Sequence, residues 1–225
     1  MKATRRNVSG ALVWPKVRDR VEALTAAPRS VVLFLEYLPC TLDVWLREQF
    51  TTGGGGAALS SAIQQVAEAT SWMGAHGLKH LDVHERNILV RDGRLLFTDF
   101  GLALHRDFAM DPDERAFFAA HDGYDHDTGI SSLLHWALAE TGVGSRAQRL
   151  AALRAASSDP QTAELDPVRA QIGDGSELIA QYATLGVSTT LLFDELMRDA
   201  SSVSYGSAAE RRPDIGVHWS RIRRS

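Results

Sequence analysis

An apolar run near the start of the chain, VVLFLEYL, occupies residues 31–38. Pro28 precedes this run and Pro39 follows it. Short apolar segments that are rich in β-branched and aromatic residues, with breakers on both sides, are typical of buried β-strands. The pattern therefore predicts a buried strand over residues 31–38.

A helical spacing of apolar residues begins after Thr41, and threonine commonly caps the start of a helix. Asp43 lies near the N-terminus of this predicted helix, where the positive end of the helix dipole favours an acidic side chain. The residues that share one face of this segment are Leu42, Trp45, Leu46 and Gln49. The pattern predicts a short helix over residues 42–50, which the glycine-rich stretch 51–56 ends.

A longer helical pattern covers residues 57–76, and Gly77 suits its end. Its predicted face consists of Leu59, Ile63, Val66, Ala67, Thr70, Met73 and Gly74. Two short apolar segments come next, residues 87–90 and 94–100, with an Asp-Gly pair at 92–93 between them. Because Asp-Gly is a strong turn signal, these segments predict a β-hairpin.

The rest of the chain is mainly helical in pattern. The predicted helices cover residues 113–120, 127–140, 145–157, 175–184 and 188–200. Gly142 suits the end of the second of these, and the basic tail over residues 210–225 is expected to be loosely held. A few strands followed by many helices make the predicted fold class α+β.

Composition narrows the classes of function. The 225 residues are 44% hydrophobic, which is enough for a buried core, and their net charge of −4 favours neither nucleic acid nor an anionic membrane as a partner. No apolar run approaches the roughly 20 residues that span a bilayer, and no clear signal peptide is present. The single cysteine, Cys40, cannot form an internal disulfide. We therefore expect a soluble, cytoplasmic protein.

The segment HLDVHERNILV, which begins at His80, carries the residues best suited to chemistry. His80, Asp82 and His84 alternate, so in an extended segment they would face one side, as metal ligands do. Asn87 follows them, and the predicted hairpin returns the chain beside it at Asp99. Two oxygen ligands would then meet at a site suited to magnesium.

This ordered set resembles motifs of the protein-kinase-like superfamily, which includes protein kinases and the aminoglycoside and choline phosphotransferases. His80-Leu81-Asp82 with Asn87 is similar to the catalytic loop, and TDFG at residues 98–101 is similar to the DFG segment. Upstream, LFLEYLPCTLDVWL resembles the strand, hinge and helix that receive adenine in these families.

The resemblance implies a kinase-like α+β fold. Residues 1–38 would form a partial N-lobe with the hinge strand, and residues 39–225 a mainly α-helical C-lobe, with ATP and Mg²⁺ bound at their junction. The implied reaction is transfer of a phosphoryl group to a hydroxyl. The acceptor, a protein serine or threonine or a small alcohol, stays open because the segment that would dock it matches neither pattern closely.

The site residues follow from the same resemblance, position by position. Asp82 is expected to be the catalytic base, and Asn87 and Asp99 are expected to bind magnesium. The residues expected to contact the nucleotide are Leu35 as gatekeeper, Glu36 and Leu38 as hinge groups for adenine, and Asp43 at the ribose.

Some positions depart from the family pattern. Leu81 replaces the arginine with which many regulated protein kinases hold a phosphorylated activation segment, so that switch is not expected. His84 stands where protein kinases have lysine, and a histidine at this position is similar to the aminoglycoside and choline phosphotransferases. No APE sequence follows DFG. His80 is expected to brace the loop, and Asp125 or Asp127 to bind backbone N–H groups around it.

The small lobe is the largest departure. A nucleotide-covering lobe needs on the order of 60 residues, whereas 35 precede Glu36. No glycine-rich loop precedes the hinge, and Lys16 is the apolar-flanked lysine that could serve as a phosphate clamp. Most of this lobe is therefore expected to be missing. A second hypothesis is an inactive pseudokinase or truncated binding module, whose partner protein covers the surface that the missing lobe would occupy.

A third hypothesis is a metal hydrolase. HDGYDHD, at residues 121–127, adds histidine and acidic side chains to the HxDxH segment, and such clusters hold pairs of zinc or manganese ions. This hypothesis leaves DFG, Asn87 and the LEYL segment unexplained, so the kinase-like hypothesis is preferred.

Overall fold

A computed structural model describes residues 22–23, 25–29 and 32–198. The chain divides into two units, Met1–Tyr37 and Leu38–Ser225. Lys16 and the basic tail, both singled out in the sequence, lie outside the described residues. None of the helices in the described ranges has the length and apolar character needed to cross a membrane.

The hinge strand predicted over residues 31–38 is wrong for the part that is described. Residues 32–38 have no regular secondary structure, and Phe34 is 95% exposed. Leu33, Leu35 and Tyr37 are also largely exposed. An apolar run becomes a buried strand only where neighbouring strands bond to its backbone and other elements cover its faces. Among the described residues, no strand pairs with this run.

The second unit begins with two helices close to those predicted. α1 spans Leu42–Thr51, and α2 spans Gly55–Ala75. α2 starts two residues earlier than predicted, inside the glycine run. A Cβ on Gly56 would lie 2.7 Å from the carbonyl oxygen of Ile172, so glycine at this position permits a close backbone contact. The glycine run therefore serves helix packing as well as chain reversal.

Two short antiparallel strand pairs follow. The strands are β1 Leu78–Lys79, β2 Ile88–Arg91, β3 Arg94–Phe97 and β4 Leu104–His105. β2 and β3 form the predicted hairpin, and Asp92 and Gly93 have φ values of 50° and 74°, as its tight turn requires. The pairing of β1 with β4 was not predicted, because two-residue strands carry no detectable periodicity.

Besides two short 3₁₀ helices, Ala163–Leu165 and Gly173–Gly175, five α-helices complete the described part of the second unit. They are α3 Pro112–Ala120, α4 Tyr124–Glu140, α5 Arg146–Ser158, α6 Asp166–Ile172 and α7 Ser176–Arg198. The short helix α6 was not predicted. The prediction of separate helices over residues 175–184 and 188–200 is wrong, because α7 continues through Gly186. A Cβ at Gly186 would lie 3.0 Å from the Leu153 side chain, so this glycine allows α7 to approach α5.

α4 is the central helix of the second unit. It packs against α2 and α7, and α7 packs along α5. The largest fully buried side chains are Leu42, Leu46, Leu59, Ile88, Ile130, Leu133, Leu134, Leu138, Leu153, Leu165, Ile179 and Leu185. The described fold is mixed α and β and mostly helical, as predicted. The start of α4 and the hairpin both contact the segment that begins at His80.

Candidate functional site

A carboxylate at the start of α4 fixes the loop that follows β1. The N–H of His80 donates to Asp125 Oδ2 at 2.6 Å, and the N–H of Leu81 donates to Asp125 Oδ1 at 2.7 Å. Leu81 has a φ of 66°, which is unfavourable for a residue with a side chain. Charge-assisted hydrogen bonds can hold this conformation. The predicted role of Asp125 is confirmed, whereas Asp127 contacts His126.

Asp82 and Asn87 are joined by hydrogen bonds across this loop. Asn87 Nδ2 donates to Asp82 Oδ2 at 2.9 Å and to the Asp82 carbonyl oxygen at 3.1 Å. Because both partners are acceptors, the amide nitrogen must face them, and Asn87 Oδ1 is left as an acceptor. Asp82 Oδ1 lies 3.7 Å from His84 Nε2, and the side chain of Asp82 is partly exposed.

The hairpin brings the chain back to the same loop just before Asp99. Ile88 pairs with Phe97, and the N–H of Thr98 donates to the carbonyl oxygen of Asn87 at 3.0 Å. Asp99 is the next residue, and it is exposed with a φ of 60°, a conformation that aspartate tolerates better than most residues. The backbone at Asn87 and the residue before Asp99 are therefore in direct contact.

His80 links this loop to the end of the hairpin. Its side chain is fully buried, and its Nε2 lies 2.9 Å from the Thr98 carbonyl oxygen. A carbonyl can only accept, so Nε2 carries the proton of this hydrogen bond. The ring centroids of His80 and Phe100 are 4.6 Å apart. His80 thus braces the loop, as predicted.

Asn87 Oδ1 and the Asp99 carboxylate are the type of oxygen ligand that Mg²⁺ prefers. In nucleotide sites Mg²⁺ takes one or two protein carboxylates, and phosphate oxygens and water complete its coordination. The orientation of the Asn87 amide, fixed by its bonds to Asp82, leaves the oxygen end available. The donor chemistry of these two side chains is therefore compatible with a magnesium ion.

The described residues do not support the metal-hydrolase hypothesis. Within HDGYDHD, Asp122 pairs with Lys79 at 3.3 Å, Asp125 binds backbone N–H groups, and His126 contacts Asp127 at 2.9 Å. No group of three or more His, Cys, Asp and Glu side chains in the described ranges could hold a metal ion. The acidic residues of this segment instead stabilise the start of α4 and its neighbours.

The residues predicted to contact a nucleotide lie in two different settings. Leu35 and Glu36 are exposed in the irregular segment of the first unit. In the second unit Leu38 is half-buried, and Asp43 lies in the first turn of α1, where its carboxylate accepts a hydrogen bond from the Thr41 hydroxyl. Their roles toward adenine and ribose stay predictions.

Several polar side chains around the loop were not singled out in the sequence. Lys79 is buried, and its Nζ lies 4.7 Å from the centre of the Phe118 ring. Ser132, on α4, donates a hydrogen bond to Glu85. No motif links Glu85 with Ser132, which lies 47 residues further along the chain. No pattern in the sequence marks Lys79.

A cavity of about 300 Å³ lies beside Asp82, and its lining includes His135, Arg146 and Arg149. Burial lowers the pKa of His135 from its ordinary 6.5 to about 4, with Arg149 and Arg146 adding to the effect. His135 is therefore neutral at pH 7. These three residues belong to no motif, so the sequence gave no indication that they lie near Asp82.

The similarity of this chain to a known protein covers less than half of its length. No family model matches it. Over 102 residues it is 32% identical to serine/threonine-protein kinase PKH3 of Saccharomyces cerevisiae. This stretch is 44% of the chain but 10% of PKH3, so the chain spans about a tenth of that relative. The similarity supports a relation to kinases over the matched part.

Proposed function

We propose that the chain is a phosphotransferase of kinase-like fold that uses ATP and Mg²⁺ to phosphorylate a hydroxyl. The observation that carries the proposal is the connected arrangement of Asp82, Asn87 and Thr98, in which the base candidate is bonded to one ligand candidate and the hairpin ends against it. A chance His-x-Asp sequence would not be expected to have these partners. The partial similarity to PKH3 supports the same class.

Asp82 orients the acceptor and receives its proton. Asn87 fixes one carboxylate oxygen of Asp82, so the carboxylate has a defined orientation. In the transfer the acceptor oxygen bonds to the γ-phosphorus of ATP, the bond from that phosphorus to the β-phosphate oxygen breaks, and ADP leaves. The hydroxyl proton passes to Asp82 and then to water. The products are a phosphate ester and ADP.

Asn87 and Asp99 hold magnesium in this proposal. When bound, the ion neutralises negative charge on the phosphate oxygens. Asn87 contributes its Oδ1, because its nitrogen is engaged by Asp82. Asp99 contributes an exposed carboxylate directly after the residue that bonds to Asn87. One asparagine thus serves both the base and the cation.

The adenine contacts of the proposal are Leu35, Glu36 and Leu38, with Asp43 at the ribose. These assignments depend on the resemblance of this stretch to the hinge of kinase-like proteins. The similarity to PKH3, a serine/threonine-protein kinase, favours a protein serine or threonine as the acceptor, whereas His84 resembles the residue found in small-molecule phosphotransferases.

A second candidate function is that of a catalytically inactive binding module. The exposed apolar side chains of residues 32–37 favour it, since contiguous exposed apolar surface commonly marks an interaction site. Phe34 and Tyr37 are the most exposed of these side chains. In this case a partner protein covers the segment, and the bond between Asp82 and Asn87 is structural.

Asp82→Asn separates the two functions. Consumption of ATP is measured with Mg²⁺ and a panel of alcohols and peptides, and the variant is expected to lose at least about 100-fold in rate because it lacks the base. Asp92→Asn, in the hairpin turn, is the control and should keep the parent rate, since asparagine tolerates the left-handed turn conformation. Equal rates for the parent and Asp82→Asn contradict the catalytic role of Asp82. An inactive parent favours the binding module.

A further inference from the structure

The cavity beside Asp82 has a chemical character that the proposed phosphoryl transfer does not explain. Its volume of about 300 Å³ lies at the lower end of the range for small-ligand sites. Its walls come from the loop at Asp82, from α4 and α7, and from the start of α5. Besides Asp82, the charged residues of its lining are Arg146 and Arg149.

The guanidinium groups of the two arginines have different kinds of partner. Arg146 forms an ion pair with Asp194, with Nη2 and Oδ1 2.8 Å apart. Arg149 Nη1 donates only to carbonyl oxygens, those of Gly144 at 2.5 Å and Val143 at 3.4 Å. Arg149 Nε is buried without a hydrogen-bond partner, and no carboxylate in the described part of the chain pairs with this side chain. Among the described residues, Arg149 is therefore the arginine of the cavity wall whose charge is not paired with a carboxylate.

His135 contributes an acceptor but no charge to the same walls. The Thr190 hydroxyl donates to the Gly186 carbonyl oxygen at 2.6 Å, so it must accept a hydrogen bond from His135 Nε2, which lies 2.7 Å away. His135 Nδ1 then carries a lone pair. Burial and the two arginines keep this ring neutral at pH 7. Arg149 is therefore the cation of the lining that pairs with no carboxylate in the described part of the chain.

We propose that this cavity binds the phosphoryl acceptor, and that the acceptor is a small alcohol that carries a carboxylate or phosphate group. Its hydroxyl lies at Asp82, and its anionic group lies at Arg149. Guanidinium groups bind both kinds of anion through directed N–H donors. The role as acceptor site rests on the proposed phosphotransferase function, whereas anion binding at Arg149 does not.

In the proposed transfer, the bond that forms is matched by a bond that breaks, and the proton released by the acceptor has a base to receive it. The acceptor oxygen forms a bond to the γ-phosphorus of ATP, the bond between that phosphorus and the ADP oxygen breaks, and the hydroxyl proton goes to Asp82. The product carries a second anionic group next to the Asp82 carboxylate. Repulsion between these charges favours release of the product once Asp82 has passed its proton to water.

The test compares probes that share a small alcohol and differ in charge: glycerol, glycerate and glycerol 3-phosphate. Their binding to the full chain is measured without nucleotide, by titration with saturation-transfer NMR. Glycerate, glycerol 3-phosphate or both are expected to bind at least about tenfold more tightly than glycerol. Equal binding of all three probes, or no binding of either anionic probe at about 10 mM, overturns the proposal.

Two matched variants test whether Arg149 is the residue that causes tighter binding of the anionic probes. Arg149→Gln is expected to bind the anionic probes no more tightly than glycerol. Arg154→Gln should keep the preference of the parent, because Arg154 is exposed on the same helix and does not line the cavity. A preference that persists in Arg149→Gln overturns the assignment to this side chain.

A measurement on the parent keeps the test valid if Arg149→Gln does not fold. The Nε–H resonance of Arg149 is assigned by its absence in Arg149→Lys, which retains the charge. This resonance is expected to shift on addition of the preferred anionic probe and to stay in place with glycerol. An unshifted resonance in the presence of bound anionic probe overturns the proposal.

Turnover is measured separately, so that the two proposals can fail independently. An anion preference without any consumption of ATP contradicts the phosphotransferase function and leaves anion binding at Arg149 in place. Consumption of ATP with peptides as acceptors and no anion preference contradicts the cavity assignment alone.

Discussion

The Asn87 side chain can act on two partners because the two ends of its amide differ. Its nitrogen donates to Asp82, and its oxygen remains an acceptor. An aspartate at this position would lack the donor and would repel Asp82, whereas a leucine would lack both ends. A single residue therefore orients the proposed base and offers a ligand to the proposed cation.

Asp125→Asn tests the support of the loop that carries Asp82. Asparagine keeps one acceptor oxygen but loses the charge and one of the two bonds to the N–H groups of His80 and Leu81. Because hydrogen bonds to charged groups contribute more than neutral ones and the freed N–H loses its partner, we expect the free energy of unfolding to fall by about 2–3 kcal/mol in urea denaturation. Asp92→Asn should change it by less than about 0.5 kcal/mol. Similar values for the two variants would remove Asp125 from this role.

His135 should make the stability depend on pH. Its pKa is about 4 in the folded protein, mainly through burial, against an ordinary value of 6.5. The unfolded chain therefore binds a proton at intermediate pH that the folded chain does not. The free energy of unfolding is expected to fall as pH decreases from 6.5 to about 4, by on the order of 3 kcal/mol from this residue.

Urea denaturation at about pH 7 and about pH 4.5 measures this effect in the parent and in His135→Gln. The parent should lose more stability than the variant on acidification. The carboxylates contribute equally in both proteins, so the difference between the two losses reports on His135. An equal loss in the two proteins shows that His135 is not the residue responsible.

At the scale of elements, a glycine decides how closely α4 approaches the loop. A Cβ on Gly129 would lie 2.7 Å from Val83 Cγ1 and 2.9 Å from Val66 Cγ1. The residue before Val83 is Asp82, so a larger side chain at position 129 pushes against the backbone that carries the proposed base.

Gly129→Ala is expected to lower the free energy of unfolding by about 1–3 kcal/mol, because the neighbouring side chains are buried and cannot move freely. Gly74→Ala is the matched control on α2. A Cβ on Gly74 meets nothing within 4 Å, so alanine should stabilise the helix by up to about 1 kcal/mol. Chemical denaturation measures both, and stabilisation by Gly129→Ala would contradict the close packing.

Elements with local signals were predicted, and elements that depend on distant partners were not. The hairpin followed from the Asp-Gly pair at 92–93, and α1 and α2 followed from apolar spacing. The strand over residues 31–38 failed, because a strand depends on a pairing partner that its own sequence does not encode. Gly186 suggested a break in a helix, whereas its contact with Leu153 is a tertiary reason for glycine.

The same distinction applies to the site. Asp99 was expected to return beside Asn87, because one hairpin joins the two positions. The hydrogen bond that is present joins Asn87 to Thr98, the residue directly before Asp99. Arg149 and His135 could not be foreseen, because the packing of α5 and α7 against α4 brings them to the cavity and no motif connects them with Asp82.

At the scale of the whole molecule, net charge does not describe the site. The chain carries a net charge of −4, yet the cavity beside Asp82 contains an arginine without a carboxylate partner in the described residues. Charges act mainly over about 10 Å at moderate salt, so the local arrangement determines which ligand is attracted. An anionic acceptor is therefore compatible with an acidic protein.

The central claim is that Asn87 and Asp99 share a magnesium ion with ATP. The most direct test is the change in thermal midpoint with ATP, in the presence and absence of Mg²⁺, for the parent and for Asp99→Asn, with Asp92→Asn as the control. A ligand that binds the folded state alone stabilises it by about 2.7 kcal/mol at 100 times its Kd. The account predicts a Mg²⁺-dependent rise for the parent and the control that Asp99→Asn lacks. No such rise in the parent, or an equal rise in Asp99→Asn, would contradict it.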